Sequence, residues 1–284
     1  MQLQSILIEP ISHLSERHFR LLSELIEGHI GIRVPETKRF MLDGRLQKRV
    51  RALECFDIND YVEHLLDEEN FDHELIHLID CVTTNKTDFF REPSHFAFMR
   101  NVAVPEIIRK TRGRYLKIWS AASSSGMEAY TIAMVLDDMQ RAGHCFQYRI
   151  LGTDISSGVL RLAEQAIYTR EMIAPVPREM AQRYFMSSKD RSSGEVRVVP
   201  ELRRNIAFMR MNLMDPVYPV DRDVDIIFCR NVLIYFDKPT QSKVVEQLCG
   251  HLRPGGYLIV GHSESMVQNA SIKLKQIQPT IFKI

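Results

Sequence analysis

Apolar residues recur at three- and four-residue steps through the first part of the chain and give way, from residue 114, to short apolar runs separated by turns. Residues 14 to 80 therefore read as short amphipathic helices. Phe19, Leu22, Leu25 and Ile26 form one stripe, with Ser15 as N-cap and Gly28 or Gly31 as the stop; Tyr61, Leu65 and Leu66 begin a second, and Leu75, Leu78 and Ile79 a third. Beyond residue 114 the pattern is strand, turn, helix. Tyr115 to Ser120 predicts a strand, Ala121 to Gly126 a loop, Ala129 to Met139 a helix, Tyr148 to Gly152 a strand ending at Asp154, and Val159 to Ile167 a helix. Repeated βα units imply a parallel sheet.

The rhythm breaks between residues 170 and 200, where Pro175, Pro177 and a Ser-Ser-Lys-Asp-Arg-Ser-Ser-Gly tract precede a short strand, Glu195 to Val199. An inserted hairpin or small β-subdomain is expected there. Strands resume at Ile206 to Met211, Val224 to Cys229 and Gly256 to Val260, and the alternating tail Ser271 to Ile284 predicts a final antiparallel strand. The division that follows is an α-helical domain over 1–82 and an α/β domain over 83–284, with 170–200 as the insertion.

Composition narrows the class. Among 284 residues, 37 Lys and Arg nearly balance 36 Asp and Glu, so bulk charge gives no reason to expect nucleic acid. Cys55, Cys81, Cys145, Cys229 and Cys249 are odd in number, widely spaced and never C-x-x-C, which argues against a disulfide framework or a zinc site and for a reducing cytoplasm. No apolar run approaches the roughly 20 residues of a membrane span, and no basic-then-apolar leader opens the chain. The N-terminal helices sort their charge: residues 52 to 85 contain no Lys or Arg, whereas Lys38, Arg39, Arg45, Lys48, Arg49 and Arg51 crowd into what should be one helix, with Arg45, Lys48 and Arg49 on its surface.

Candidate chemistry sits at strand ends. The loop Ser120-Ala121-Ala122-Ser123-Ser124-Ser125-Gly126 has almost no bulky side chain, so backbone can approach a ligand closely, yet it is not the G-x-G-x-x-G of dinucleotide sites. Asp154 closes the second strand, where an acid accepts hydrogen bonds from ribose hydroxyls. Loop and acid together suit an adenosyl ligand without phosphates; an ordinary turn with a capping Asp is the plain alternative. Asn212 and Leu213 follow the third strand, where an amide and an apolar neighbour can read and sandwich an adenine ring, or simply make a turn. Glu128 opens the first helix of the sheet domain, a position favoured by the helix dipole alone. Arg230 and Asn231 end an otherwise apolar strand, where ligands of open parallel sheets bind.

Four segments taken in order, Thr83 to Glu92, Trp119 to Thr131, Phe228 to Phe236 and Leu252 to Ser265, resemble the chemotaxis receptor methyltransferases of the CheR family. That resemblance implies a class I S-adenosylmethionine-dependent methyltransferase sheet with an N-terminal all-helical domain and a small inserted β-subdomain. It implies methyl transfer from S-adenosylmethionine to glutamate side chains of chemoreceptors, releasing S-adenosylhomocysteine, in the cytoplasm at receptor arrays. By the same resemblance Asn85, Thr87, Arg91, Glu128, Asp154, Asn212, Leu213, Arg230 and Asn231 line the cofactor site. Arg91, Asn231 and Tyr235 are the catalytic candidates. The basic residues Arg45, Lys48 and Arg49 would meet acidic receptor helices, and residues 170–200 resemble the part of some members that grips a receptor's C-terminal tether peptide. One departure is visible: the family usually reads Gly-Glu-Glu-Pro-Tyr-Ser where this chain has Gly126-Met127-Glu128-Ala129-Tyr130-Thr131.

The remaining candidates are weaker. His73 and His77 are four apart on a helix without an evident third ligand, so no metal is expected. Cys229 ends a buried strand and is expected to be inert, and Met209, Met211 and Met214 read as core. A small-molecule or RNA methyltransferase and a non-catalytic adenosyl-binding adaptor remain as other classes.

Overall fold

The structure, a computed structural model, describes residues 13–111, 115–190, 192–264 and 274–284. The chain divides into two compact units, Met1–Thr83 and Thr84–Ile284. The tail strand expected from Ser271 falls partly outside the described residues, as do Ser265 of the fourth motif and Arg191 of the polar tract.

The first unit contains helices α1 (Glu16–Ile30), α2 (Arg39–Ala52), α3 (Ile58–Leu66) and α4 (Phe71–Val82). Ser15 caps α1 by accepting the His18 N–H, and Gly31, at φ 70°, ends it in the left-handed region; Gly28 lies within the helix. Asp57 caps α3 through the N–H groups of Asn59 and Asp60. Leu22, Ile26, Leu42, Leu46, Tyr61, Leu65 and Leu78 form the buried stripes. Lys38 belongs to a separate turn before α2, and Arg49 differs from the surface position expected of it. Its guanidinium makes a two-pronged pair with buried Glu74, at 2.8 and 2.6 Å, which also accepts the Tyr61 hydroxyl at 3.0 Å. The sequence pattern hides this because Glu74 lies on another helix.

The second unit opens with α5 (Pro93–Phe98), a wider turn at Met99–Ala103, and α6 (Val104–Thr111). The alternation then runs β1 (Leu116–Ala121), α7 (Met127–Arg141), β2 (Tyr148–Asp154) and α8 (Ser157–Gln165). After it come β3 (Ile167–Thr169), α9 (Arg178–Tyr184), β4 (Phe185–Ser187), β5 (Glu195–Val198) and α10 (Pro200–Arg203). The chain closes with β6 (Ile206–Arg210), β7 (Val224–Cys229), α11 (Lys238–Cys249), β8 (Leu252–Val260), β9 (Lys275–Gln278) and β10 (Ile281–Lys283). The main sheet has the order β6-β2-β1-β7-β8-β10-β9, parallel as far as β8 and antiparallel beyond. Every residue of β7 is buried, as a parallel strand covered on both faces requires. The tail is a hairpin turning at Pro279 and Thr280 rather than one strand. The insertion forms its own antiparallel sheet, β3-β5-β4, which starts at Ile167, inside the stretch expected to be helix.

Register fixes where the site lies. Ala121 pairs with Thr153 on one side and Cys229 on the other, and Cys229 pairs with Val260. The loops after β1, β2, β7 and β8 therefore leave the sheet side by side, at the point where strand order reverses and α/β sheets bind ligands. Gly126, at φ 83°, closes the loop after β1, and a Cβ there would lie 2.8 Å from Ala163 Cβ. Gly126→Ala is expected to lower the stability of this unit by about 2–4 kcal/mol, combining left-handed strain with overpacking. A drop in its thermal midpoint against wild type checks this.

Candidate active site

The loop after β1 is built to be close to something. Ala122 and Ser124, at φ 60° and 51°, hold left-handed conformations that side chains rarely adopt. The strain is retained by bonds on every side: the Ser124 N–H donates to Asp154 Oδ2 at 2.8 Å, its hydroxyl to the Asn85 carbonyl at 2.8 Å, and the Tyr168 hydroxyl to the Ser125 carbonyl at 2.7 Å. Asp154 also accepts the Ser156 N–H at 3.0 Å. Ser156, and not Asp154, caps α8. Asp154 is thus the acid that joins the loop after β1 to the end of β2, and it does not cap the helix.

Arg230 leaves the end of β7 with a side chain only 2% exposed. Its Nη1 donates to Glu128 Oε2 at 2.9 Å, its Nη2 lies 3.1 Å from Glu92 Oε2 and also donates to the Arg91 carbonyl. Phe96 stacks beneath it, 5.4 Å from ring centre to guanidinium carbon. Glu128, in the first turn of α7, accepts the Ser120 hydroxyl at 2.7 Å with its other oxygen. Asn231, at φ 60°, donates through Nδ2 to Glu92 Oε1 at 3.2 Å. Burial pushes the Glu92 carboxyl up, but Arg230, the Asn231 amide and the His262 N–H outweigh it and hold the group below the ordinary carboxylate range.

The segment Asn85 to Glu92 is held against this cluster. Phe89 packs edge-on to Tyr168 and Phe185, at 4.9 and 5.5 Å, and the Phe90 N–H donates to Thr131 Oγ1 at 3.2 Å. Arg91 turns its guanidinium to the Lys86 carbonyl at 3.0 Å. Asn85 and Thr87 are half-buried. Asn212 accepts the Met214 N–H at 3.0 Å, so it does make the turn, beside the buried Leu213. Tyr235 ends a short helical turn, Leu233–Tyr235, beyond Asn231.

Glu92, His95 and Glu264 carry this arrangement and were not singled out from the sequence. Each acts through partners far away in the chain, 139 residues in the case of Glu92 and Asn231. His95 is buried, bonds Thr280 Oγ1 at 2.8 Å and lies 3.4 Å from Glu92 Oε2. Its ligand atoms and those of Glu92 and His262 fall within 4.8 Å, as do those of His73, Glu74 and His77. In both groups the carboxylate is already engaged, by Arg230 in one and by Arg49 and Tyr61 in the other.

The donor set fits an adenosyl sulfonium. Small residues let the backbone come close, Asp154 lies at the carboxyl end of β2, and Asn212 with Leu213 lies just beyond β6. Sheet order, switch-point loop and acid together are those of an S-adenosylmethionine-dependent methyltransferase. Residues 17–83 match the family described as CheR methyltransferase, all-alpha domain, and residues 85–282 match CheR methyltransferase, SAM binding domain. The chain belongs to the CheR methyltransferase family. It is 35% identical over 271 residues to chemotaxis protein methyltransferase 2 of Pseudomonas aeruginosa, covering 95% of this chain and 94% of that one. Against the chemotaxis protein methyltransferase of Klebsiella aerogenes it is 39% identical over 257 residues, covering 90% and 85%. The Escherichia coli protein of that name is 38% identical over 252 residues, covering 89% and 85%. No helix among the described residues is long and apolar enough to cross a membrane.

His95 gives the site a pH signature. Burial, and then the charge of Arg230, lower its pKa from 6.5 to about 4, against the pull of Glu92 and with a smaller push from His262. Between those values the unfolded chain takes up a proton that the folded chain refuses, so stability is present above pH 6.5 and is lost as pH falls toward 4. His95→Gln is expected to remove about 2 kcal/mol from the stability difference between pH values of about 7 and about 5. Urea unfolding of wild type and variant at the two pH values checks it.

Proposed function

We propose that the protein transfers the methyl group of S-adenosylmethionine to glutamate side chains of chemoreceptors, in the cytoplasm where receptors gather. The observation that carries this reading is the state of the acids and bases around Arg230. Glu92 and Glu128 are both ion-paired to Arg230, Glu264 is bonded to backbone N–H groups, and His95 is held neutral. The three carboxylates are thus held by Arg230 or by backbone N–H groups, and buried His95 carries no added proton, so these four groups act as structural partners of the site. A glutamate carboxylate, with an ordinary pKa of about 4.3, needs no general base.

The cofactor supplies an electrophilic methyl on a sulfonium. A new C–O bond forms as the C–S bond breaks, the anion and the cation both disappear, and a neutral ester and thioether remain. Removing water therefore favours the reaction, and alignment does the rest. On this reading Asp154 receives the ribose hydroxyls, Asn212 and Leu213 the adenine, and Asn85, Thr87, Arg91 and Glu128 the methionyl end. Asn231 and Tyr235 orient the incoming carboxylate as hydrogen-bond donors. Docking falls to α2, where Lys48 is exposed and Arg45 half-buried, while Arg49 secures the helix through Glu74. The β3-β5-β4 sheet has two outer strands, β3 and β4, on which an extended tether peptide fits as an added strand.

The test is incubation with radiolabelled S-adenosylmethionine and receptor-containing membranes, followed by mild alkali. Release of label as methanol is the expected outcome; alkali-stable label would mean a nitrogen or carbon acceptor instead. In the same assay Tyr235→Phe is expected to lower the rate about tenfold to a hundredfold, as for loss of one oriented donor. Affinity for S-adenosylhomocysteine, measured by calorimetry, is expected to stay within about twofold.

A further inference from the structure

The loop that carries Asn231 and Tyr235 leaves the sheet and ends in the short turn Leu233–Tyr235, and its first backbone N–H groups converge on one side chain. Glu264 Oε1 accepts the N–H groups of Val232 and Leu233, each at 2.8 Å, and Oε2 accepts that of Gly261. The Asn231 N–H is directed to the same carboxylate. The side chain reaching them is 5% exposed. Successive backbone N–H groups converging on one point make an anion-binding nest, and here a side chain of the protein fills it.

The neighbouring residues are arranged around this contact. Gly261 comes so close that a Cβ there would lie 2.6 Å from Asn231 Nδ2 and 2.9 Å from Glu264 Oε2. On the carbonyl side of the loop, Gln241 Nε2 donates to the Leu233 and Phe236 carbonyls at 2.8 and 3.0 Å. Arg230 is anchored separately, through Glu92 and Glu128. The chain is fixed at Arg230, and beyond it the path to Tyr235 is held on its N–H side by Glu264 and on its carbonyl side by Gln241.

We infer that Glu264 is a positioning residue for the transfer: its buried carboxylate gathers the N–H groups of the loop after β7 and so sets Asn231 and Tyr235 against the incoming substrate. A neutral amide cannot substitute. In Glu264→Gln one oxygen still accepts from Val232 and Leu233, but the NH2 group meets the Gly261 N–H, donor against donor. The inference rests on the reading of Asn231 and Tyr235 as substrate-orienting groups, so its test has an arm that needs no substrate.

That arm is amide hydrogen exchange of the whole protein. In Glu264→Gln, the amides of Val232, Leu233 and Gly261 are expected to exchange at least about tenfold faster, with the amides of β1 and β2 unchanged. The second arm is methyl transfer at saturating cofactor and receptor, expected to fall about tenfold to a hundredfold while the affinity for S-adenosylhomocysteine stays within about threefold. Glu264→Asp keeps the charge but draws the oxygens back, and is expected to show the same localised change at smaller amplitude; it serves if the Gln variant does not fold. Unchanged exchange at the three amides, or a rise spread equally over β1 and β2, overturns the inference. Absence of transfer by the wild type would count against the proposed function instead, and the exchange arm would still decide the role of Glu264.

Discussion

A single buried cation organises the sheet unit. Arg230 is fixed between Glu92 and Glu128, and these three residues come from the segment before α5, the first turn of α7 and the end of β7. Placing a guanidinium in so dry an environment costs several kcal/mol unless each charge is met, and removing one member of such a group typically costs about 3–5 kcal/mol. The three segments are thus obliged to meet in one geometry. Several left-handed residues cluster around the junction: Phe90, Glu92, Ala122, Ser124 and Asn231 all have positive φ. Strain of this kind persists only where surrounding contacts over-determine it, and here Arg230, Asp154 and Glu264 supply those contacts.

The same arrangement makes chemical sense of the site. A reaction that destroys an anion and a cation together is hindered by stray charge and by water. Glu92 and Glu128 share the Arg230 guanidinium, and Glu264 is surrounded by backbone N–H groups, so the carboxylates of this cluster are already engaged. The substitutions Met127 and Ala129 in the motif around Glu128 leave this scheme intact. Both side chains are buried in the hydrophobic core, whereas Glu128 keeps its bonds to Ser120 and Arg230.

What the sequence disclosed, and what it withheld, follows from the range of the interactions. Caps and turns at Ser15, Gly31 and Gly126 are made within a few residues and are readable from local pattern. The parallel sheet was readable because apolar runs such as Val224 to Cys229 have few other uses. The start of the small sheet at Ile167 was not, since an apolar residue closing an amphipathic helix has the same pattern as one opening a short strand. Arg49 looked like a member of a solvated basic face because its partner Glu74 lies 25 residues away. Glu264 stood in a quoted motif with no role attached. Only the approach of the loop after β8 to the loop after β7 turns its carboxylate into an acceptor for Val232 and Leu233.

The central claim, that Arg230 assembles the cofactor site as well as holding the fold, is tested most directly by calorimetric titration of Arg230→Lys with S-adenosylhomocysteine. Lysine keeps the charge but lacks the planar fork that reaches Glu92, Glu128 and the Arg91 carbonyl together. The expected result is a folded variant, with wild-type circular dichroism, whose affinity is weaker by about tenfold or more, equivalent to about 1.4 kcal/mol. Unchanged affinity in that folded variant would contradict the claim and reduce Arg230 to a structural ion pair.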